Sequence, residues 1–195
     1  MNRRTFLQTA AVPVVLGSTL LAADSVPSTS KTKMSDKKII VAADPFAIAL
    51  KDAVVAHLKE KGYDVIDLGA RKVDGNPKLA EIPYFESCPA ACKAIQDGKA
   101  SRGILFCGTG MGMSVIANRF KGIVASVVES VFAAKMCRSI NNANVLCLGA
   151  MIWGDWMANE AVDTFLNTKF TEGLEPLADF LKDAEKKVEA IRDAK

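Results

Sequence analysis

The sequence predicts an α/β fold: a doubly wound, three-layer α/β/α sandwich, Rossmann-like in outline, on a five-stranded parallel sheet. Two observations carry this. Five short apolar runs rich in Val, Ile and Leu have the composition of strands covered on both faces. Amphipathic segments separate them at the spacing of strand–helix–strand units, and right-handed crossovers then place helices on both sides of the sheet.

The first strand is KKIIVAAD, residues 37–44. Residues 47–62 form the first helix, with Ile48, Val54, Val55 and Leu58 at helical spacing and Gly62 as its C-cap. DVIDLG, 64–69, is the second strand, and a polar loop containing Gly75 and Pro77 follows. Helices are expected over 84–97, 111–119, 130–140, 153–165 and 175–192, and strands over 102–107, 122–128 and 143–150. There is no internal repeat, and 37–195 reads as one domain. The last helix carries Leu177, Phe180, Leu181, Ala184, Val188 and Ile191 on one stripe, which either closes the core or docks on a partner subunit.

Residues 1–23 open with Arg3 and Arg4 ahead of Phe6, Leu7 and an apolar stretch from Ala10 to Ala23. That pattern is a twin-arginine export signal. At about 14 residues, broken by Pro13 and Gly17, it is shorter than the ~20 a membrane anchor needs. Residues 24–36 read as a flexible linker. Loss of 1–23 lowers the formal charge from +3 to +1, so the domain offers nucleic acid no basic patch and the membrane no stable insertion. Export predicts a periplasmic or otherwise extracytoplasmic location. Among the five cysteines, Cys107 and Cys147 sit in apolar strands, and Cys88 and Cys92 lie four apart on a helix, so buried thiols are expected. With His57 as the one histidine, a histidine-rich metal centre is excluded.

Ligands in doubly wound sheets bind beyond the carboxyl ends of the strands. That directs attention to Asp44, Cys107–Gly112, Glu129 and Gly149. In FCGTGMGMS, Gly108, Gly110 and Gly112 let the backbone approach a ligand with its N–H groups, which suits developing negative charge; the same glycines also suit a tight strand-to-helix turn. The run follows a central strand, unlike a dinucleotide fingerprint, and it lacks the Gly-Lys-Ser/Thr of a phosphate-binding P-loop. Cys107 is either a base beside those donors or buried filler, and Asp44 either a ligand or the cap of the helix that Pro45 begins. Asn141, Asn142 and Asn144 suit turns or sugar hydroxyls, Arg138 a ligand or a salt bridge, and Glu81 and Glu129 are loop carboxylates.

Over residues 37–170 the chain resembles the ribose-5-phosphate isomerase B and galactose-6-phosphate isomerase family. The resemblance lies in VAADPFAIALKDAVVAHLKEKGYDVIDLG, GILFCGTGMGMSVIANRFKGI and RSINNANVLCLGA, in that order and spacing. It implies a homodimer or tetramer with sites at the subunit interface, interconverting an aldose and a ketose through a cis-enediol(ate) without metal or organic cofactor. It assigns Cys107 as the proton-transferring base and Thr109, Gly108, Gly110 and Gly112 to the oxyanion. It gives Asp44 and Asn141 to the substrate, with Glu81 nearby. The departures are Pro45 and Ile140 where the family has histidine, and Met151, Leu174 and Ala178 where it has phosphate-binding arginine. A non-phosphorylated sugar or sugar derivative is therefore the expected substrate; a carbohydrate-binding relative without turnover and a phosphosugar isomerase are the alternatives.

Overall fold

The computed structural model describes residues 37–193, so the expected export signal (1–23) and linker (24–36) both lie outside the described residues. Five strands, β1 (Lys38–Ala43), β2 (Asp64–Asp67), β3 (Arg102–Cys107), β4 (Ala125–Val127) and β5 (Val145–Gly149), form one sheet in the order β2-β1-β3-β5-β4. All four pairings are parallel. The helices are α1 (Ile48–Glu60), α2 (Tyr84–Gln96), α3 (Met111–Ala117), α4 (Val131–Asn141), α5 (Asp155–Asn167) and α6 (Ala178–Asp193).

The pleat divides the strand side chains between two cores. Ile39, Val41, Ile104, Phe106, Leu146 and Leu148 pack with α1, α4 and α5. Ile40, Leu105, Cys107 and Cys147 turn to the other face, against α2 and α3. Strand order reverses between β1 and β3, which opens the crevice at their carboxyl ends. The Ala43–Phe106 pairing sets Asp44 beside Cys107 there, and the Asp44 N–H donates to the Phe106 carbonyl at 3.1 Å.

Side chains, not apolar periodicity, set the differences from the expected boundaries. Residues 122–124 stay outside the ladder because Asn144 Oδ1 accepts the Val124 N–H (2.8 Å), and Asn118 clasps both backbone groups of Ala125. The loop after β2 contains a 3-10 turn over Pro77–Ala80, and shorter 3-10 turns precede α1 and α6. Lys51, fully buried in α1, pairs with Asp67 at the end of β2 and with Asp52 (3.0 Å), fastening helix to strand.

Candidate active site

Cys107 ends β3 with its side chain on the α2–α3 face, 5% exposed. The Gly110 N–H donates to its sulfur at 3.1 Å, an arrangement that supports negative charge there. The loop that provides this donor is shaped by close backbone contacts. Gly110 has φ +77°, and a Cβ on it would stand 3.0 Å from the Leu148 carbonyl carbon. A Cβ on Gly149 would lie 2.6 Å from the carbonyl carbon of Thr109. The end of β5 is thus pressed against the loop, and the Ala150 and Met151 N–H groups bond the Cys107 and Gly108 carbonyls, each at 2.9 Å. Exposed Thr109 accepts a long hydrogen bond from the Met111 N–H at 3.4 Å.

Asp44 caps the 3-10 turn that Pro45 begins, accepting the Phe46 N–H at 2.9 Å. Burial pushes its carboxyl above the usual carboxylate range, against the pull of the Phe46 and Ala47 N–H groups. The cap reading of this aspartate is what the structure shows, and the same carboxyl follows β1 next to the end of β3 that carries Cys107. Glu81 and Glu129 are exposed, before α2 and after β4, at the same end of the sheet.

Asn141 and Arg138 lie elsewhere. α4 runs away from the carboxyl end, so Asn141 finishes near the start of β5, a strand length of about 15 Å from the Cys107 end. Exposed Asn141 and Ile140 line a groove of about 690 Å³ with Arg119, Phe180, Leu181 and Ile191. Asn142 and Asn144 take the turn roles: Asn142 adopts φ 50° at the end of α4, and Asn144 bonds the Val124 N–H and the Gly122 carbonyl (2.8 Å each). Arg138 is buried, donating to Asn142 Oδ1 (2.9 Å) and the Ala143 carbonyl and lying 5.7 Å over the Phe165 ring. Burial, with Arg102 nearby, lowers its pKa to about 10. Within one chain its guanidinium wires α4 to α5 and does not reach the Cys107 end.

One side chain at the site carried no sequence signal: the Tyr84 ring from the start of α2 packs on Gly112, where a Cβ would come within 2.9 Å of it. Met151, which stands where the family has an arginine, lays its thioether against Gly108. Phe46, Met111, Val115, Met151 and Trp156, the last 92% exposed, make the rim of this end apolar. Trp153 instead is buried, its indole N–H donating to the Val128 carbonyl at 3.0 Å. All five cysteines are buried free thiols: the hydrogen bond with Cys92, followed by burial, pushes the Cys88 thiol up, burial does the same to Cys147, and the Cys107 sulfur is the one that accepts from the Gly110 N–H. His57 sits between α1 and α5, its Nε2 3.0 Å from Asp163. Among the described residues no group of three or more His, Cys, Asp or Glu is arranged to hold a metal ion, and no helix is long and apolar enough to cross a membrane.

The profile of the Ribose/Galactose Isomerase family matches residues 39–177. The 4-deoxy-4-sulfo-D-erythrose isomerase of Clostridium sp. (strain MSTE9) is 43% identical over 158 residues, covering 80% of this chain and 96% of that protein. The D-erythrulose-4-phosphate isomerase of Pectobacterium atrosepticum is 37% identical over 135 residues, covering 69% of this chain and 86% of its own. Among solved structures, ribose-5-phosphate isomerase B of Mycoplasma genitalium with bound ribulose-5-phosphate superposes with a TM-score of 0.69 at 30% identity, covering 81% of this chain and 97% of that one.

Proposed function

The chain belongs to the Ribose/Galactose Isomerase family and is an aldose–ketose isomerase, and we propose that its substrate is a short sugar with a monoanionic tail, of the 4-deoxy-4-sulfo-D-erythrose type. The observation that carries this reading is the uncharged edge of the Cys107 loop: Met151, a thioether, lies against Gly108. Arg71, nearest in sequence to the loop after β2, spends its guanidinium on the Asp67 and Gly69 carbonyls. A sulfonate carries one charge, whereas a phosphate ester carries about −1.5 to −2 near neutral pH and calls for several cationic donors. The 43% identity to a sulfo-sugar isomerase supports the same choice.

In the proposed reaction Cys107, as thiolate, takes the proton from C2 of the aldose. The electrons of that C–H bond form the C1–C2 double bond, and the carbonyl oxygen O1 takes the negative charge of an enediolate. In this reading N–H groups of the Gly108–Gly112 loop other than that of Gly110, which bonds the Cys107 sulfur, stabilise the charge on that oxygen as it develops. Asp44, a buried carboxyl held toward its acid form, passes the proton between O1 and O2. Return of the Cys107 proton to C1 leaves the C2 ketone and restores the thiolate.

A second copy of the chain completes the site in this reading. Asn141 and Cys107 stand at opposite ends of one protomer, both ends expose apolar side chains, and a two-fold pairing of the two surfaces brings one copy's Asn141 to the other's Cys107. Arg119, in the same groove as Asn141, arrives with it as a guanidinium for the anionic tail. The reading extends to a periplasmic protein, on the strength of Arg3 and Arg4; replacing both with Lys then traps the precursor in the cytoplasmic fraction. The substrate is tested by NMR with purified protein. At least tenfold higher kcat/KM for 4-deoxy-4-sulfo-D-erythrose than for D-erythrose 4-phosphate is expected, and the reverse order would transfer the assignment to the phosphate ester.

A further inference from the structure

Sugars with a free hydroxyl four or five atoms along from the aldehyde exist mainly as rings, and an isomerase that uses them must first obtain the free aldehyde. Opening the hemiacetal takes a proton from the anomeric hydroxyl and delivers one to the ring oxygen. Near neutral pH the side chain suited to both moves is imidazole.

The chain has one histidine. His57 lies toward the end of α1, at the amino ends of the strands, with Nε2 on Asp163 (3.0 Å), and Lys61 Nζ holds the other Asp163 oxygen at 2.7 Å. This three-residue staple fastens α1 to α5 and keeps the imidazole away from its own chain's Cys107 end, and His57 is not among the residues lining the groove that carries Asn141. The polar and sulfur groups at the Cys107 end are of other kinds. Thr109 is a neutral hydroxyl, Tyr84 a phenol, Met151 a thioether, Glu81 and Glu129 are exposed carboxylates, and Asp44 accepts the Phe46 N–H and already serves the O1–O2 transfer. The groove that carries Asn141 sets aliphatic Ile140 next to it.

We infer that the protein captures its aldose only in the open-chain form and has no ring-opening step, so that its natural substrates are four-carbon sugars whose C4 bears a substituent in place of a free hydroxyl. The inference rests on the isomerase reading above and sharpens its substrate class. In a four-carbon aldose, O4 is the only oxygen that can close a five-membered ring on C1. A sulfonate carbon–sulfur bond removes that oxygen and a phosphate ester blocks it, so either sugar is permanently acyclic. A site without an imidazole loses nothing with such substrates and loses rate with any sugar that cyclises.

The test compares 4-deoxy-4-sulfo-D-erythrose with D-erythrose, a four-carbon sugar whose free O4 closes the ring. Isomerisation of each is followed by NMR as enzyme concentration is raised, and the spontaneous ring-opening rate of D-erythrose is measured by anomer exchange in the same buffer. The expected result is a rate proportional to enzyme for the sulfonate and a D-erythrose rate that stays at or below the spontaneous opening rate. A D-erythrose rate that climbs past that ceiling in proportion to enzyme overturns the inference while leaving the isomerase reading intact. Turnover of neither sugar overturns the isomerase reading and the inference with it.

Discussion

Asp44 joins two demands in one carboxyl, and its titration exposes them. Burial raises its pKa above the ordinary 3.8, so the folded protein binds this proton more tightly than the unfolded chain does. Stability contributed by the acid form is complete below the unfolded value and is lost as pH rises through the higher folded value. Asp44→Asn keeps a good N-cap and never ionises. Its melting temperature relative to wild type is therefore expected to improve as pH rises from about 3.5 to 7, while kcat falls by about 10²-fold as the proton shuttle is lost. Thermal melts across that range, paired with rates at pH 7, check both arms; a pH-independent difference contradicts the assignment. At this scale the sequence shows which residues stand at strand ends but not which are consumed by their own fold. Arg138 and Asn141 look alike as ligand candidates in the string, yet one is buried on backbone carbonyls and the other exposed, because side-chain direction on α4 depends on how α5 packs against it.

The loop joining β3 to α3 is an element whose shape is set by its neighbours. Gly110 occupies a left-handed conformation that costs an L residue about 1–2 kcal/mol, and a Cβ there meets the Leu148 carbonyl carbon and Val127. Gly110→Ala is expected to destabilise the fold by about 1–3 kcal/mol and to lower kcat/KM at least tenfold, because its N–H holds the Cys107 sulfur. Denaturant melts and rates measure the two effects; unchanged kinetics would separate that N–H from the chemistry. The glycine run is legible in the sequence because backbone freedom is written in residue type. The start of β4 is not, since Asn118 and Asn144 end the loop before it by hydrogen bonds across seven and twenty residues. Gly112 likewise shows its smallness but not its reason, the Tyr84 ring from α2. The remaining strands and helices follow their apolar periods closely, since each buries its own face against the sheet.

For the whole molecule, the central fact is that the Cys107 and Asn141 ends face opposite ways. The α6 stripe remains open, with Phe180 69% exposed, although Leu181 is buried. Core closure accounts for Leu181 and part of Ala184, while Leu177, Phe180, Val188 and Ile191 stay exposed. If active sites form between two copies, Cys107→Ala and Asn141→Ala are each inactive, yet unfolding and refolding them together gives mixed dimers with one intact site. Activity is expected to recover to about a quarter of wild type, and no recovery would return both residues to separate roles within one chain. The direct test of the account is solvent deuterium incorporation, followed by NMR in D2O with 4-deoxy-4-sulfo-D-erythrose as substrate. Wild-type protein is predicted to place deuterium at the carbon beside the carbonyl as isomerisation proceeds. Cys107→Ala, with an unchanged melting profile, is predicted to do so at least ~10²-fold more slowly. Equal incorporation by both proteins would contradict Cys107 as the base.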